Sequence, residues 1–306
     1  MSTGVTVTAA EAARPNTLRA RLADYAALAK PRISLLELVT VGVAYRFAVA
    51  AGGEWSPTVF MVLMVGTTLL AASANTLNQY LEIKHDRRMF RTADRPLPAG
   101  RMRPSEAAWF GLVSLAVSIT LIAFGVGPVP AAIGLVCWWL YVGVYTPLKR
   151  HSTFNTTVGA VSGALPIVMG WTAGGGSLDG VAMGLFAVLL LWQYPHFMAI
   201  AWLCKDDYAR GGYRMSTVVD PTGRWAGVQA VAGAALLAPA ALYPAAIIGG
   251  DGSVTYACLA VLLAVLQLVY AVAFYRNRTD LTARRLLRAS LLYLPGWMLA
   301  LSLCLP

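Results

Sequence analysis

The chain has 306 residues, of which 58% are hydrophobic and 12% are charged, whereas an ordinary soluble domain has about 45–50% apolar and about 25% charged residues. Together with a mean hydropathy of +0.62, this composition excludes a disordered chain, a coiled coil and a collagen, and it indicates a membrane protein. The formal net charge of +10 would fit nucleic-acid binding only if the basic residues formed a patch.

Nine apolar segments are each long enough to cross a bilayer as a helix. They run roughly over residues 33–51, 57–79, 105–124, 129–146, 154–172, 180–202, 226–248, 254–275 and 286–304. The sequence therefore predicts an all-α integral membrane protein with a cytoplasmic tail over residues 1–29 and one membrane domain over residues 30–306.

Basic residues lie almost entirely in alternate loops. Of the 24 Lys and Arg residues, 23 lie in the N-terminal tail and around the loops that follow the second, fourth, sixth and eighth segments, and the other is Arg46 inside the first segment. The positive-inside rule places the N-terminus in the cytoplasm and, after nine helices, the C-terminus outside. Topology thus explains the basic charge, and we expect a lipid bilayer and no nucleic acid as the surroundings. The short chain favours a bacterial plasma membrane.

The loop after the second segment carries a row of oxygen-bearing side chains. If the helix continues through it, Asn78, Glu82 and Asp86 lie on one face at steps of about 6 Å. Such a row suits Mg²⁺, which commonly pairs one or two carboxylates with substrate phosphate oxygens. Arg91 and Arg95, again four residues apart, are placed to bind those phosphates.

A solvated, salt-bridged helix end is the alternative interpretation of this row. Asn75 and Asn78, however, follow directly from an apolar helix, where polar groups are costly and usually functional. A second acidic pair, Asp206 and Asp207, lies four helices later on the same side. This spacing is consistent with two parallel-oriented repeats whose acidic ends face each other, and the sequence therefore predicts a diphosphate site between them.

Six motifs in this order resemble the UbiA superfamily of intramembrane prenyltransferases, and within it the protohaem IX farnesyltransferase branch. They cover residues 25 to 300 approximately. The motifs are Ala29-Lys30-Pro31-Arg32-Ile33, the 78–97 stretch from Asn78 through Met89-Phe90-Arg91-Thr92 to Arg95-Pro96-Leu97, Tyr145-Thr146-Pro147-Leu148-Lys149-Arg150, Asn155 to Gly170-Trp171, Trp192-Gln193-Tyr194-Pro195-His196-Phe197, and Asp206-Asp207-Tyr208. Two positions depart from the family pattern: Glu82 stands where Asp is common, and Leu203 stands where benzoate-type members have a further Asp.

The resemblance implies a UbiA-type bundle with a central cavity open to the cytoplasmic side. It implies transfer of the farnesyl group of farnesyl diphosphate to a vinyl group of haem b, with addition of water, to make haem O. Mg²⁺ is the implied cofactor, and haem A synthase or oxidase assembly factors are the implied partners. The residues that the resemblance assigns to the site are Asn78, Glu82, Asp86 and Asp207 as metal ligands; Arg91, Arg95, Lys149 and Arg150 as stabilisers of the departing diphosphate; and Asn75, Tyr145, Asn155, Gln193, His196, Asp206 and Asp207 as substrate-binding residues.

Three residues and two further functions stay open at this point. His196 either faces haem or bonds to a neighbouring helix; Glu37 belongs either to the site or to a helix-end salt bridge; Arg46 either extends to the outer surface or lines the cavity. The alternative functions are another UbiA-type prenyltransferase acting on a quinone or tetrapyrrole precursor, and a polytopic transporter. A transporter predicts polar residues through the whole depth of the bilayer, whereas here they cluster at one end.

Overall fold

The computed structural model describes residues 17–304 apart from residue 250. Every regular element in this range is a helix. The helices are α1 (Leu18–Ala29), α2 (Pro31–Ala50), α3 (Pro57–Asp86), α4 (Pro104–Gly125), α5 (Pro128–Trp139) with a π-helical continuation (Leu140–Tyr145), α6 (Thr146–Leu148), α7 (Asn155–Ala173), α8 (Gly180–Leu203), α9 (Lys205–Gly211), α10 (Ser216–Val219), α11 (Arg224–Ile248), α12 (Ser253–Arg276) and α13 (Asp280–Cys304).

Nine helical stretches of the described chain are long and apolar enough to cross a membrane. They confirm the predicted all-α membrane fold, with some shifted boundaries. The last stretch begins at Asp280, a turn and a half before the predicted start, and the fourth runs from Pro128 to Leu148 through the π-helical segment.

Helix α3 is much longer than the bilayer requires. Its 30 residues span about 45 Å at 1.5 Å per residue, against about 30 Å for the hydrocarbon core. Ser56 caps its N-terminus by accepting a hydrogen bond from the Val59 amide at 3.3 Å, and Pro57 occupies the first turn. The helix continues without interruption to Asp86. Its last turns place Asn78, Glu82 and Asp86 on one buried face.

The π-helical segment has a local cause in the sequence. Pro147 has no N–H to donate, so the carbonyl of Gly143 lacks its α-helical donor. The hydroxyl of Thr146 donates to the carbonyl of Tyr141 at 2.8 Å and occupies another acceptor of the same turn. The wider turn changes the direction of the side chains that follow, as π-bulges often do at functional sites.

The bundle packs around α7, which contacts α2, α5 and α8, while α13 contacts both α8 and α2. Gly170 allows α2 and α7 to come very close, because a Cβ atom there would lie 2.3 Å from the carbonyl oxygen of Val41. This close approach holds two walls of the central space together.

Helix α1 was not predicted. Of the predicted tail, residues 1–16 lie outside the described residues, and Leu18–Ala29 forms a helix against α3 and α4. Its Leu28 is fully buried, and Arg101 bonds to Asp24 at 3.0 Å. The turn into α2 places Lys30 in the left-handed region, at a φ of 50°.

Candidate active site

A polar cavity of about 140 Å³ lies at the end of the bundle where α3 ends and α2 begins. Four basic and two acidic side chains line it, so its net charge is positive and suits an anion such as diphosphate. The charged residues are Lys30, Glu82, Asp86, Arg91, Arg95 and Lys149, and the remaining lining comprises Asn78, Met89, Met215 and four tyrosines, Tyr141, Tyr145, Tyr208 and Tyr213.

Two ion pairs hold the carboxylates of this cavity. Lys149 Nζ lies 2.8 Å from Glu82 Oε1, and Arg95 Nη1 lies 2.7 Å from Asp86 Oδ2. Glu82 is 3% exposed and Asp86 is fully buried. Desolvation lowers the pKa of Lys149, but the charge of Glu82, its hydrogen bond to the amine and the neighbouring tyrosines together raise it further, so the net pKa of Lys149 is raised.

The oxygen atoms on α3 fit a hard divalent cation. Asp86 Oδ1 is buried and has no hydrogen-bond partner among the described residues, which is costly for a carboxylate unless something else binds it. Asn78 Nδ2 donates to Thr146 Oγ1 at 3.0 Å, which leaves the amide oxygen as an acceptor. No group of three or more His, Cys, Asp or Glu residues in the described chain is arranged as a metal site, so phosphate oxygens would have to complete the coordination.

The second acidic pair does not line the polar cavity. Asp207 accepts hydrogen bonds from the backbone N–H groups of Phe90 and Arg91 at 3.2 and 3.3 Å and pairs with Arg210 at 2.6 Å. The Arg210 hydrogen bond holds the pKa of Asp207 below its usual range. Asp206 is exposed. The two acidic loops therefore do meet, but Asp207 fastens the loop after α3.

Two other predicted residues also lie outside the polar cavity. Arg150 Nη2 donates to the carbonyl of Leu81 at 3.0 Å. Asn155 is fully buried, and its amide donates to the carbonyls of Ser152 and Arg214 at 2.6 and 3.3 Å. Arg150 thus joins the loop after α6 to α3, and Asn155 joins the start of α7 to the loop between α9 and α10.

An apolar cavity of about 330 Å³ adjoins the polar one inside the bundle. Tyr141 and Tyr145 line both cavities, with their rings stacked at 5.3 Å. Lys149 Nζ lies 4.4 Å from the centre of the Tyr145 ring. The boundary between the two cavities is therefore aromatic, with a cation on its polar side.

Polar side chains are few in this apolar cavity, and four predicted residues are among its lining: Asn75, Tyr145, Gln193 and His196. Asn75 Nδ2 donates to the Ala29 carbonyl at 3.2 Å, and Gln193 Nε2 donates to the Ala160 carbonyl at 2.9 Å. Both amides thus join helices while facing the cavity.

His196 makes one hydrogen bond to a helix and also lines the cavity. Its Nδ1 lies 2.9 Å from Ser290 Oγ, and its ring stacks on Trp192 at 5.0 Å. The structure thus combines both interpretations of this residue. Glu37 lines the same cavity, which favours a site role, whereas Arg46 is exposed near the far end of α2.

Gly159 and Gly163 make space for cavity side chains. A Cβ atom at Gly159 would lie 2.9 Å from the Tyr145 ring, and one at Gly163 would lie 2.2 Å from Gln193 Oε1. Glycines spaced by four often serve close packing between helices. Here they make room for the side chains of Tyr145 and Gln193.

Sequence reasoning missed Lys30, Tyr208 and Tyr213 in the polar cavity. Burial lowers the pKa of Lys30 to about 7, with Arg95 and Lys149 adding to the effect. Tyr213 OH is buried without a hydrogen-bond partner among the described residues. Two features of the sequence could have indicated these residues: Lys30 precedes a proline at the start of a helix, and Tyr208 and Tyr213 follow closely after the second acidic pair.

The fold and this site together define a polytopic, all-helical membrane protein with an anion-binding end next to an apolar chamber. The UbiA prenyltransferase family model matches residues 38–294, and the chain belongs to this family. Among solved structures, a digeranylgeranylglyceryl phosphate synthase matches with a TM-score of 0.73 and 16% identity over 93% of this chain and 98% of that one. A UbiA homologue from Archaeoglobus fulgidus, bound to GPP and Mg²⁺, matches with a TM-score of 0.68 and 15% identity over 92% of this chain and 100% of that one. At these identities the match supports the fold alone.

Similar sequences include three proteins named protoheme IX farnesyltransferase. The one from Rhodopirellula baltica is 42% identical over 90% of this chain and 98% of its own length. The one from Anaeromyxobacter sp. is 38% identical over 97% of this chain and 98% of its own length. A mitochondrial one from Arabidopsis thaliana is 39% identical over 91% of this chain and 64% of its own length.

Proposed function

We propose that this chain transfers the farnesyl group of farnesyl diphosphate to a vinyl group of haem b and makes haem O. The observation that carries this proposal is similarity over nearly the full length to proteins named protoheme IX farnesyltransferase. The two adjoining cavities support it, since they provide a positive site for diphosphate next to an apolar chamber for a prenyl chain and a porphyrin.

The basic residues of the polar cavity bind the diphosphate. Lys30, Arg91, Arg95 and Lys149 surround it, and charge-assisted hydrogen bonds from such groups are about twice as strong as neutral ones. Diphosphate leaves an allylic carbon only when its developing charge is stabilised, so these cations act on the bond-breaking step. The arrival of the anion also favours the protonated form of Lys30, whose pKa lies at about 7 without it.

Asn78, Glu82 and Asp86 are the residues that would hold Mg²⁺. Their oxygen atoms and the unpaired Asp86 Oδ1 suit this ion, which when bound supplies further positive charge to the departing diphosphate. We do not include Asp207 among the proposed ligands, because both its oxygen atoms are bound to the loop after α3.

The aromatic boundary stabilises the allylic cation that is left behind. Tyr141 and Tyr145 line the junction of the two cavities. A cation–π interaction between an aromatic ring and the allylic cation is stronger when it is desolvated, as it would be here. The apolar lining of the larger cavity disfavours water, which would otherwise capture the cation before the vinyl group does. His196 and Gln193 line the chamber in which the porphyrin would lie.

The polar cavity faces the cytoplasm in this proposal, because the basic loops and the polar cavity are at the same end of the bundle. The N-terminus is then cytoplasmic, the C-terminus is outside, and the host membrane is a bacterial plasma membrane. Haem A synthase or oxidase assembly factors would receive the product.

A competition between acceptors tests the proposed function. Purified protein in detergent is given farnesyl diphosphate, Mg²⁺ and equal amounts of haem b and an aromatic quinone precursor. Prenylation of haem b alone is the expected result. Prenylation of the quinone precursor instead would contradict the proposal and favour another UbiA-type activity, and passage of solute without prenylation, in vesicles, would favour a transporter.

A further inference from the structure

Glu37 places a carboxyl group in the apolar cavity inside the membrane domain, which is called the chamber below. It is the only Asp, Glu, Lys or Arg among the described residues that line the apolar cavity. A charge at such depth is costly, and ionisable residues there usually serve function. Neither the diphosphate site nor the ion pairs of the polar cavity use it.

No side chain in the described part of the molecule neutralises this carboxyl group. Glu37 takes part in none of the ion pairs among those residues, and Thr40 and Cys137 are two of the polar residues that line the cavity with it. The Thr40 hydroxyl donates to the carbonyl of Leu36, and Cys137 Sγ donates to the carbonyl of Ser162. The carboxyl group is therefore free to act on whatever occupies the chamber.

Its depth places it close to the reaction without touching the diphosphate. Glu37 and Cys137 line the same recess, and Cys137 lies four residues before Tyr141, which lines both cavities. Four helical residues span about 6 Å along the axis. Glu37 therefore lies on the apolar side of the aromatic boundary, about one helical turn from Tyr141.

We propose that the Glu37 carboxylate accepts the proton of the water molecule that adds to the prenylated vinyl group. This inference rests on the proposed function. As the farnesyl carbon–oxygen bond breaks, the vinyl π electrons form the new carbon–carbon bond, and the inner vinyl carbon becomes positive. Water forms a carbon–oxygen bond there, and its proton moves to Glu37. The protonated carboxyl group returns the proton to solvent before the next turnover.

His196 is the competing proton acceptor in the same chamber. Its Nδ1 lies 2.9 Å from Ser290 Oγ and its ring stacks on Trp192, so the side chain is fixed by two neighbours and keeps only Nε2 for the chamber. A carboxylate has two oxygen atoms and a negative charge that both attracts the proton and stabilises the preceding cation. Glu37 is therefore assigned the role of proton acceptor, and His196 is assigned to contact with the porphyrin.

The test compares the haem products of wild type, Glu37→Gln, Glu37→Asp and His196→Gln by mass spectrometry. Glu54→Gln is the matched control, because Glu54 is an exposed residue between α2 and α3. Without an acceptor for the proton of water, the carbon next to the positive one instead loses its proton to the released diphosphate, and an alkene forms. We expect Glu37→Gln to bind haem, consume farnesyl diphosphate and yield mainly a product lighter by one water molecule, with the ratio of hydrated to unhydrated product falling about 100-fold. Glu37→Asp should recover part of the hydrated product, and Glu54→Gln should match wild type.

Three results would overturn the assignment. They are a normal hydrated product from Glu37→Gln, no prenylated product at all from a folded Glu37→Gln protein that binds haem, and an unhydrated product from His196→Gln in place of Glu37→Gln. If wild type itself makes no prenylated haem, the proposed function fails and this assignment with it. If wild type is active and Glu37→Gln is indistinguishable from it, only the assignment fails.

Discussion

Replacing Asp86 by Asn isolates the role of one carboxylate in the polar cavity. Asp86 is fully buried, its Oδ2 lies 2.7 Å from Arg95 Nη1, and its Oδ1 has no partner in the described chain. Because Asp86 is buried and paired, the substitution should affect both stability and turnover.

The structure sets the size of both effects. At an effective dielectric constant of about 20, two charges about 4 Å apart attract by about 4 kcal/mol, but relief of the buried carboxylate's desolvation offsets much of this. The amide oxygen also keeps a hydrogen bond to Arg95. A net loss of about 1–2 kcal/mol in the free energy of unfolding follows. Losing a carboxylate that would hold Mg²⁺ removes part of the positive charge that stabilises the departing diphosphate, so kcat should fall by about 10²–10³-fold.

The assay measures kcat and KM for farnesyl diphosphate across a Mg²⁺ titration, with thermal unfolding in detergent. Asp94→Asn is the matched control, since the side chain of Asp94 is fully exposed and pairs with Arg101. The control should keep wild-type turnover, and Asp86→Asn should need more Mg²⁺. A kcat within a few-fold of wild type at every Mg²⁺ concentration would refute the assignment of Asp86 to the metal.

Three other substitutions test separate parts of the molecule. Gly170→Ala should lower the unfolding temperature by several degrees, because the added Cβ would lie 2.3 Å from a backbone oxygen of α2. Gly42→Ala is the control and should leave the unfolding temperature unchanged, because its Cβ would have its nearest contact at 3.7 Å. Equal unfolding temperatures for the two variants would contradict the close contact between α2 and α7. Asp207 has a lowered pKa, so its stabilising effect is complete above the unfolded value of about 3.9 and is lost as the pH falls through the folded value. Asp207→Asn should therefore lower the midpoint at pH 7, and its difference from wild type should shrink as the pH falls below about 3.9. It should also reduce kcat less than Asp86→Asn does. His196→Ala should weaken haem binding, followed by absorption titration, more than farnesyl diphosphate binding; an unchanged titration would leave this residue a purely structural role.

The sequence was sufficient for the helices and for one face of the site. Hydropathy alone located nine spans, since each apolar stretch must satisfy its backbone hydrogen bonds within a helix. The four-residue spacing of Asn78, Glu82 and Asp86 correctly predicted a shared face, because the spacing of an α-helix is fixed.

Contacts between distant segments were less predictable. The second acidic pair was expected to face the first, yet the side chain of Asp207 is used by the backbone N–H groups of Phe90 and Arg91. No local pattern distinguishes a carboxylate that binds metal from one that fastens a loop. Likewise, Lys30 and Tyr213 line the polar cavity although they lie between α1 and α2 and between α9 and α10, and periodicity carries no information about how such connections dock.

Mass spectrometry of haems extracted after the purified, detergent-solubilised protein has reacted with haem b and farnesyl diphosphate tests whether this chain makes haem O. One sample contains Mg²⁺ and the other contains EDTA. We expect a haem that carries the hydroxyethylfarnesyl side chain in the Mg²⁺ sample and unchanged haem b in the EDTA sample. Unchanged haem b in both samples, from protein shown to be folded, would contradict the proposed reaction, and equal product in both would contradict the metal site.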